Sequence, residues 1–369
     1  MHLKEPLKEI LAKTRAHWDH PSSRSAVRIN LNKVLKCRTD VLGSEVYASA
    51  TEQKIVHHTC KSRACPSCGH RATTLWQRGM WAALPDVPFA GVVFTMPCEL
   101  WPILRQNRHL LDDLPALGAA VIDQWSQARH GVRLMIMVVR HTFGRHLNFN
   151  PHLHVLVSSG GLSNADGTWV TGLQLDPKDL MSQWRFALIT YLREASRNGL
   201  LESRLTQPEL QRLLTIQYER WWNVNVQRCT SKEHFLKYAG RYVRRPPLAQ
   251  YRIEAITDKE ISFRTKDHRL KREVITRYTP EQFVDLLADH VPDYYRHAIR
   301  HFGLLAPRSK GRTLGSLFAQ LSQPRRPKPQ HLSWAKSIER SFGINPLLDS
   351  RGASMRLVAR KGGSSINAN

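Results

Sequence analysis

The stretch NFNPHLHVLVSSGG, Asn148 to Gly161, decides how the rest of this chain is read. Two histidines flank one large apolar residue, and an apolar run follows, the pattern of a strand entering a core. In an extended strand successive side chains face opposite sides of the sheet, so His152 and His154 project together while Leu153 enters the interior. Such a pair of imidazoles is a ready half of a metal site. Alone it also has a plainer reading, an incidental His-x-His on a strand, since a short motif is a hypothesis and not an assignment.

Just upstream, GVRLMIMVVRHT (Gly131 to Thr142) is a second strand candidate, and the Gly144 to Asn150 loop joins it to the first. A hairpin-like pairing of the two brings His141 near the histidine pair. Some eighty residues later, at Ser231 to Pro247, the chain reads SKEHFLKYAGRYVRRPP. Ser231 is a plausible helix cap, and the helical character stops at Pro246. Tyr238 and Tyr242 stand four apart, which on a helix puts both phenols on one face. A tyrosine stripe at this spacing is commonly core. Here Lys237, Arg241, Arg244 and Arg245 surround it, and an apolar core does not accept cations without partners.

A strand-borne histidine pair followed by two tyrosines on a basic helix resembles the HUH nucleases. PHLHVLVSSGG and KYAGRYVRRPP, with CKSRACPSCG upstream and IRHFGLLA at Ile299 to Ala306, resemble more closely the two-tyrosine rolling-circle transposases of the insertion sequence 91 family, relatives of common-region elements and Helitrons. The resemblance implies an α+β fold: an RRM-like HUH palm, an antiparallel sheet with helices on one side and a helical insertion. It implies a third metal ligand beside His152 and His154, for which His141 is the first candidate and His146 the second. Mg²⁺ or Mn²⁺ would then be the catalytic ion, and imidazole ligands tilt the choice toward Mn²⁺. Tyr238 or Tyr242 would attack a phosphate of single-stranded DNA, leaving a 5′-phosphotyrosine and a free 3′-hydroxyl. Lys237 and Arg241 would favour the phenolate and, with Arg244, Arg245 and Arg63, would bind DNA.

Bulk composition agrees with a polyanionic partner. In 369 residues, 55 Lys and Arg oppose 30 Asp and Glu, a net charge of +25. The isoelectric point of about 10.3 favours nucleic acid. The opening MHLKEPLKEILAKTRAHWDH carries charges throughout, and no run approaches the roughly eighteen apolar residues of a spanning helix. The expectation is a soluble, cytoplasmic, nucleoid-associated protein without a membrane partner. Nothing resembles a P-loop, so unwinding would fall to host replication or helicase factors.

Six cysteines, at 37, 60, 65, 68, 98 and 229, suit a metal site in a reducing compartment better than disulfides. Cys60, Cys65 and Cys68 fall within nine residues, and zinc prefers four soft ligands in a tetrahedron. The resembled family usually carries another CxxC pair where this chain reads Tyr47 to Glu52, and that pair is missing. Either Cys37 and one of His57 or His58 complete a single structural zinc site, or the finger is degenerate.

The expected division is a helical, zinc-binding unit at 1–84, a nuclease unit at 85–306 with a helical insertion at 173–222, and a basic, partly disordered arm at 307–369. Tyr294 to Ile338 contains no acidic residue, and PRRPKP (Pro324 to Pro329) cannot be regular helix or central strand. Three other functions share parts of this pattern: a replication initiator or relaxase-type nickase, a non-catalytic DNA-binding remnant of a transposase, and an RNA-binding module. The last would want exposed aromatics on its central strands, and LMIMVV has none.

Overall fold

The structure is a computed structural model that describes residues 5–244, 246–266 and 272–362. It is α+β with antiparallel sheets. The strands are β1 (Ser44–Ala48), β2 (Gln53–His57), β3 (Phe89–Phe94), β4 (Val132–Phe143), β5 (Phe149–Ser163), β6 (Trp169–Val170), β7 (Val224–Cys229), β8 (Ile253–Ile256), β9 (Ile261–Lys266), β10 (Glu273–Tyr278), β11 (Ile299–Gly303) and β12 (Arg356–Lys361).

The central sheet runs β11-β4-β5-β3-β7, with β6 beside β5. Its path is strand, helix Leu114–His130, strand, strand, helix Pro177–Arg197, strand. Pro115 lies in the first turn of the first crossover helix, and Gly131 stops it in the left-handed region at φ 60°. The run LMIMVV is apolar at every position because both faces of this sheet are covered. Ile136 and Val138 share a core with Trp125 and Trp184 of the crossover helices. Met135, Met137 and Val139 face the other way, toward Phe235, Leu236 and Leu317. Helices therefore lie on both sides, not one. The segment expected as an insertion supplies the second crossover helix, whose Leu180, Trp184, Leu188 and Leu192 belong to the main core.

The expected boundary at residue 84 divides the sequence but not the interior. Leu7, Ile10 and Leu31 of the N-terminal helices share a core with Phe263 of the β8-β9-β10 meander and Phe283 of helix Pro280–Asp289. The expected C-terminal arm is also built in as far as residue 362, and 363–369, in the stretch expected to be disordered, lie outside the described residues. Leu314 and Leu317 of helix Pro307–Gln320 cover the second face of the sheet. PRRPKP has neither helix nor strand and is tied down by an Arg326–Asp86 ion pair. Helix Trp334–Phe342 docks through Arg71 Nε donating to Ser337 Oγ at 2.8 Å, and β12 pairs with β1, returning the chain to its N-terminal unit. Among the described residues, no helix is long and apolar enough to cross a membrane.

Candidate active site and thiol cluster

The β4–β5 ladder sets His141 directly opposite His152. Cross-strand partners share a face, and His154 lies two residues along the same face. His141, His152 and His154 each offer a ring nitrogen within 4.8 Å of the others. Leu153 points to the opposite face and packs over Gly118 in the main core. His146 instead contacts Thr276 Oγ1 at 2.9 Å, outside this group.

Hydrogen bonds fix the rings. His152 Nδ1–H donates to the Asn150 carbonyl at 2.7 Å, which turns Nε2 toward His154 Nε2, 3.1 Å away. His141 Nε2–H donates to the Tyr242 carbonyl at 2.7 Å, leaving Nδ1 as its basic nitrogen. His154 Nδ1 is buried with no hydrogen-bond partner among the described residues. Burial lowers the proton affinity of His152, and burial with the neighbouring His141 and His152 lowers that of His154 well below the usual histidine range. Clustered imidazoles, two of them with the tautomer set by a backbone carbonyl, are a donor set that fits a divalent cation.

The tyrosines reach the same place from helix Lys232–Ala239. Ser231 Oγ caps it by accepting the His234 N–H at 3.1 Å. The helix was expected to run to Pro246 but ends at Gly240. Tyr242 sits in the turn beyond, where its N–H donates to the Ala239 carbonyl at 2.9 Å. That turn brings the Tyr242 ring flat against His154, with centroids 3.8 Å apart and planes 22° apart. Tyr238 meets Tyr242 edge to face at 5.0 Å. Burial, then the Tyr242 phenol, pushes the Tyr238 phenol above its ordinary range.

The cations divide by position. The Arg241 guanidinium lies 5.0 Å from the Tyr238 ring centroid and 5.9 Å from that of Tyr242, so it faces both phenols. Lys237 pairs instead with Glu233 at 3.1 Å on the exposed side of the helix, and His234 is exposed there too. Arg63 and Arg244 line a pocket that also contains His141 and Tyr242. Arg245 lies outside the described residues.

One contact was missed in the sequence. Gly91 of β3 lies beneath Tyr238, and a Cβ there would stand 2.6 Å from Cζ and 2.8 Å from the phenol oxygen. Its signal was present in PFAGVVFTM, because a glycine inside an apolar strand marks close approach by another group. Gly91→Ala must displace the Tyr238 ring, at a cost of about 1–3 kcal/mol. Thermal melting is expected to fall accordingly, and an unchanged melting curve would show that the ring does not rest there.

The second cluster is made of thiols. Cys37 closes helix Ser25–Lys36, Cys60 follows β2, and Cys65 and Cys68 open helix Pro66–Ala83. Sulfur separations are 3.7 Å for Cys65–Cys37, 3.8 Å for Cys37–Cys68 and 3.8 Å for Cys60–Cys68. Four sulfurs about 2.3 Å from a tetrahedral zinc ion lie about 3.8 Å apart, so this cluster fits zinc. Hydrogen bonds from Cys37, Cys60 and Cys65 hold the Cys68 thiol below its ordinary range. Cys37 therefore completes the set without a histidine. His58, a candidate ligand from sequence, contacts the Leu42 carbonyl at 3.0 Å, and His57 faces Asp40 at 3.5 Å.

Residues 7–96 match the family described as "Transposase zinc-binding domain", and residues 135–312 match that described as "Putative transposase". The chain is 29% identical over 356 residues to the transposase for insertion sequence element IS801 of Pseudomonas savastanoi pv. phaseolicola, covering 92% of this chain and 86% of the relative. It is 29% identical over 312 residues to a protein named "Putative transposase y4qJ" of Sinorhizobium fredii, covering 80% and 78%. No solved structure matches.

Proposed function

Because this chain belongs to the insertion sequence 91 family of transposases, we propose that it is a rolling-circle enzyme that cuts and rejoins single-stranded DNA through a 5′-phosphotyrosine intermediate. The observation that carries this reading is the stacking of Tyr242 on His154 within a cluster of three imidazoles. The strand-helix-strand-strand-helix-strand path, with order β4-β5-β3-β7, supports an RRM-like HUH palm. In functional segments, 1–84 carries the zinc unit, 85–306 the chemistry and 307–369 further basic contacts.

His141, His152 and His154 would hold Mg²⁺ or Mn²⁺, which when bound polarises a non-bridging oxygen of the attacked phosphate. The remaining work belongs to the chain. Tyr242, the phenol stacked on the imidazoles, gives up its proton and forms the O–P bond; the P–O3′ bond breaks and the departing oxygen takes a proton as the 3′-hydroxyl. Arg241 offsets the negative charge that grows on both phenols. The covalent link conserves the phosphodiester, so rejoining needs no nucleotide. Tyr238, buried over Gly91, holds a second strand end when the first is already linked. Host enzymes supply the unwound strand.

The test uses purified protein, a labelled single-stranded oligonucleotide carrying the element's end, and Mn²⁺. A denaturation-resistant adduct is expected, and it should fall by at least about a hundredfold in the His152→Ala/His154→Ala variant, since oriented metal ligands govern both affinity and activity. An adduct of equal yield in that variant would remove the imidazoles from the mechanism.

A further inference from the structure

The pocket lined by Arg63, His141, Tyr242 and Arg244 contains more guanidinium groups than its carboxylates can serve. Asp112 is shared by Arg140 at 2.7 Å and Arg296 at 3.0 Å. Asp293 is shared by Arg24 and, at 3.5 Å, by Arg108. Four arginines thus occupy the two carboxylates. Arg63 and Arg244 have no ion pair or side-chain hydrogen bond among the described residues. Arg63 is half-buried in this pocket beside Arg244 and Arg140, a cation drawn inward with no carboxylate paired to it among the described residues. An unpaired half-buried charge is costly, and an anion that also meets the exposed Arg244 at the pocket mouth removes the cost.

The two arginines also arrive locked together. Arg63 is carried on the thiol knuckle between Cys60 and Cys65, and Arg244 follows Tyr242 by two residues at φ 54°, a conformation a long side chain adopts only under constraint. The constraint comes from the knuckle helix. A Cβ on Gly69 would meet the Arg244 carbonyl at 2.9 Å and Pro246 Cδ at 3.0 Å, and Thr73 Oγ1 donates to the Val243 carbonyl at 2.8 Å. The thiol knuckle is therefore seated on the tyrosine turn, not held apart as a separate finger.

We propose that Arg63 of the thiol knuckle and Arg244 of the tyrosine turn bind one backbone phosphate of the DNA strand, adjacent to the phosphate that is attacked. This rests on the nuclease reading above for its choice of anion. It makes the zinc unit part of the substrate grip, with Arg63 as its contact in the site.

The test measures binding of a short single-stranded oligonucleotide to the zinc-loaded full chain by fluorescence anisotropy across salt concentrations, with no Mg²⁺ or Mn²⁺ added. Arg63→Gln should weaken binding about tenfold and reduce the log–log salt slope by about 0.7, the value of one phosphate contact on a single strand. Arg63→Lys, which keeps the charge, should restore most of the slope. In the wild type, one neutral methylphosphonate within two linkages of the cleaved phosphate should weaken binding about tenfold, and in Arg63→Gln it should change little. That scan needs no stable variant. An Arg63→Gln protein with full zinc that binds like wild type, or a scan in which no single linkage matters, would overturn the proposal. So would competition by millimolar inorganic phosphate in place of sensitivity to any linkage, which marks a free-anion site. Adduct formation is read in parallel: binding lost in Arg63→Gln, with no adduct in wild type, would leave the pocket standing and remove the nuclease reading.

Discussion

Replacing both tyrosines by phenylalanine should abolish the covalent protein–DNA adduct, a loss on the order of 10⁴-fold or more, as expected when a nucleophile is removed from an otherwise intact site. Phenylalanine keeps the ring that stacks on His154 and the ring that lies over Gly91. It removes only the oxygens that would bond to phosphorus. Stability should change by at most about 1 kcal/mol, the usual net worth of one hydroxyl hydrogen bond. DNA binding should persist because the arginines are untouched. The singles should differ. Tyr242→Phe removes the phenol against the imidazoles and should suppress the first cut, whereas Tyr238→Phe should leave first cleavage and impair strand transfer. Gel analysis of the adduct and of the joined product separates the two, and an undiminished adduct in the double variant would remove both residues from the chemistry.

Cys68→Ser should be the most damaging change outside that site. The four thiols join the end of helix Ser25–Lys36 to the start of helix Pro66–Ala83, and Cys37 and Cys65 are buried in the core shared with Phe263 and Phe283. Structural zinc supplies apparent folding free energy on the order of 10 kcal/mol, so loss of one ligand forfeits a large part of it. If about 4 kcal/mol is lost, melting falls by about 5 °C for a chain of this size. Zinc content, measured by atomic emission, should drop from one per chain toward zero. Cys98→Ser is the control, because Cys98 is exposed and outside the cluster. Full zinc occupancy in Cys68→Ser would show that the fourth thiol is not a ligand.

The sequence carried the site further than the architecture. Period-two alternation was enough to place His152 and His154 on one face, and the short hairpin loop brought His141 to them. The register that sets His141 opposite His152 is a tertiary fact that no local pattern states. The spacing of Tyr238 and Tyr242 was visible, but the helix end between them was not. The helix ends at Gly240, and the following turn, not helical periodicity, delivers Tyr242 to His154. Cys37 was one of several ligand choices, since sequence distance does not reveal which sulfur or imidazole folds inward. The least legible features were non-local: β12 pairing with β1 from the far end of the chain, the N-terminal helices sharing a core with the meander, and Pro177–Arg197 joining the main core between two strands of the central sheet.

In the proposed reaction, imidazoles from two strands and a phenol from a distant turn meet at one phosphate. Tandem mass spectrometry of the wild-type adduct, formed with Mn²⁺ and trimmed by nuclease and protease, tests it most directly. A 5′-linked nucleotide is expected on Tyr242 in the first-cleavage product, absent when divalent cation is withheld. A nucleotide on a serine, on a tyrosine remote from the histidines, or on Tyr242 with equal yield in the absence of divalent cation would contradict it.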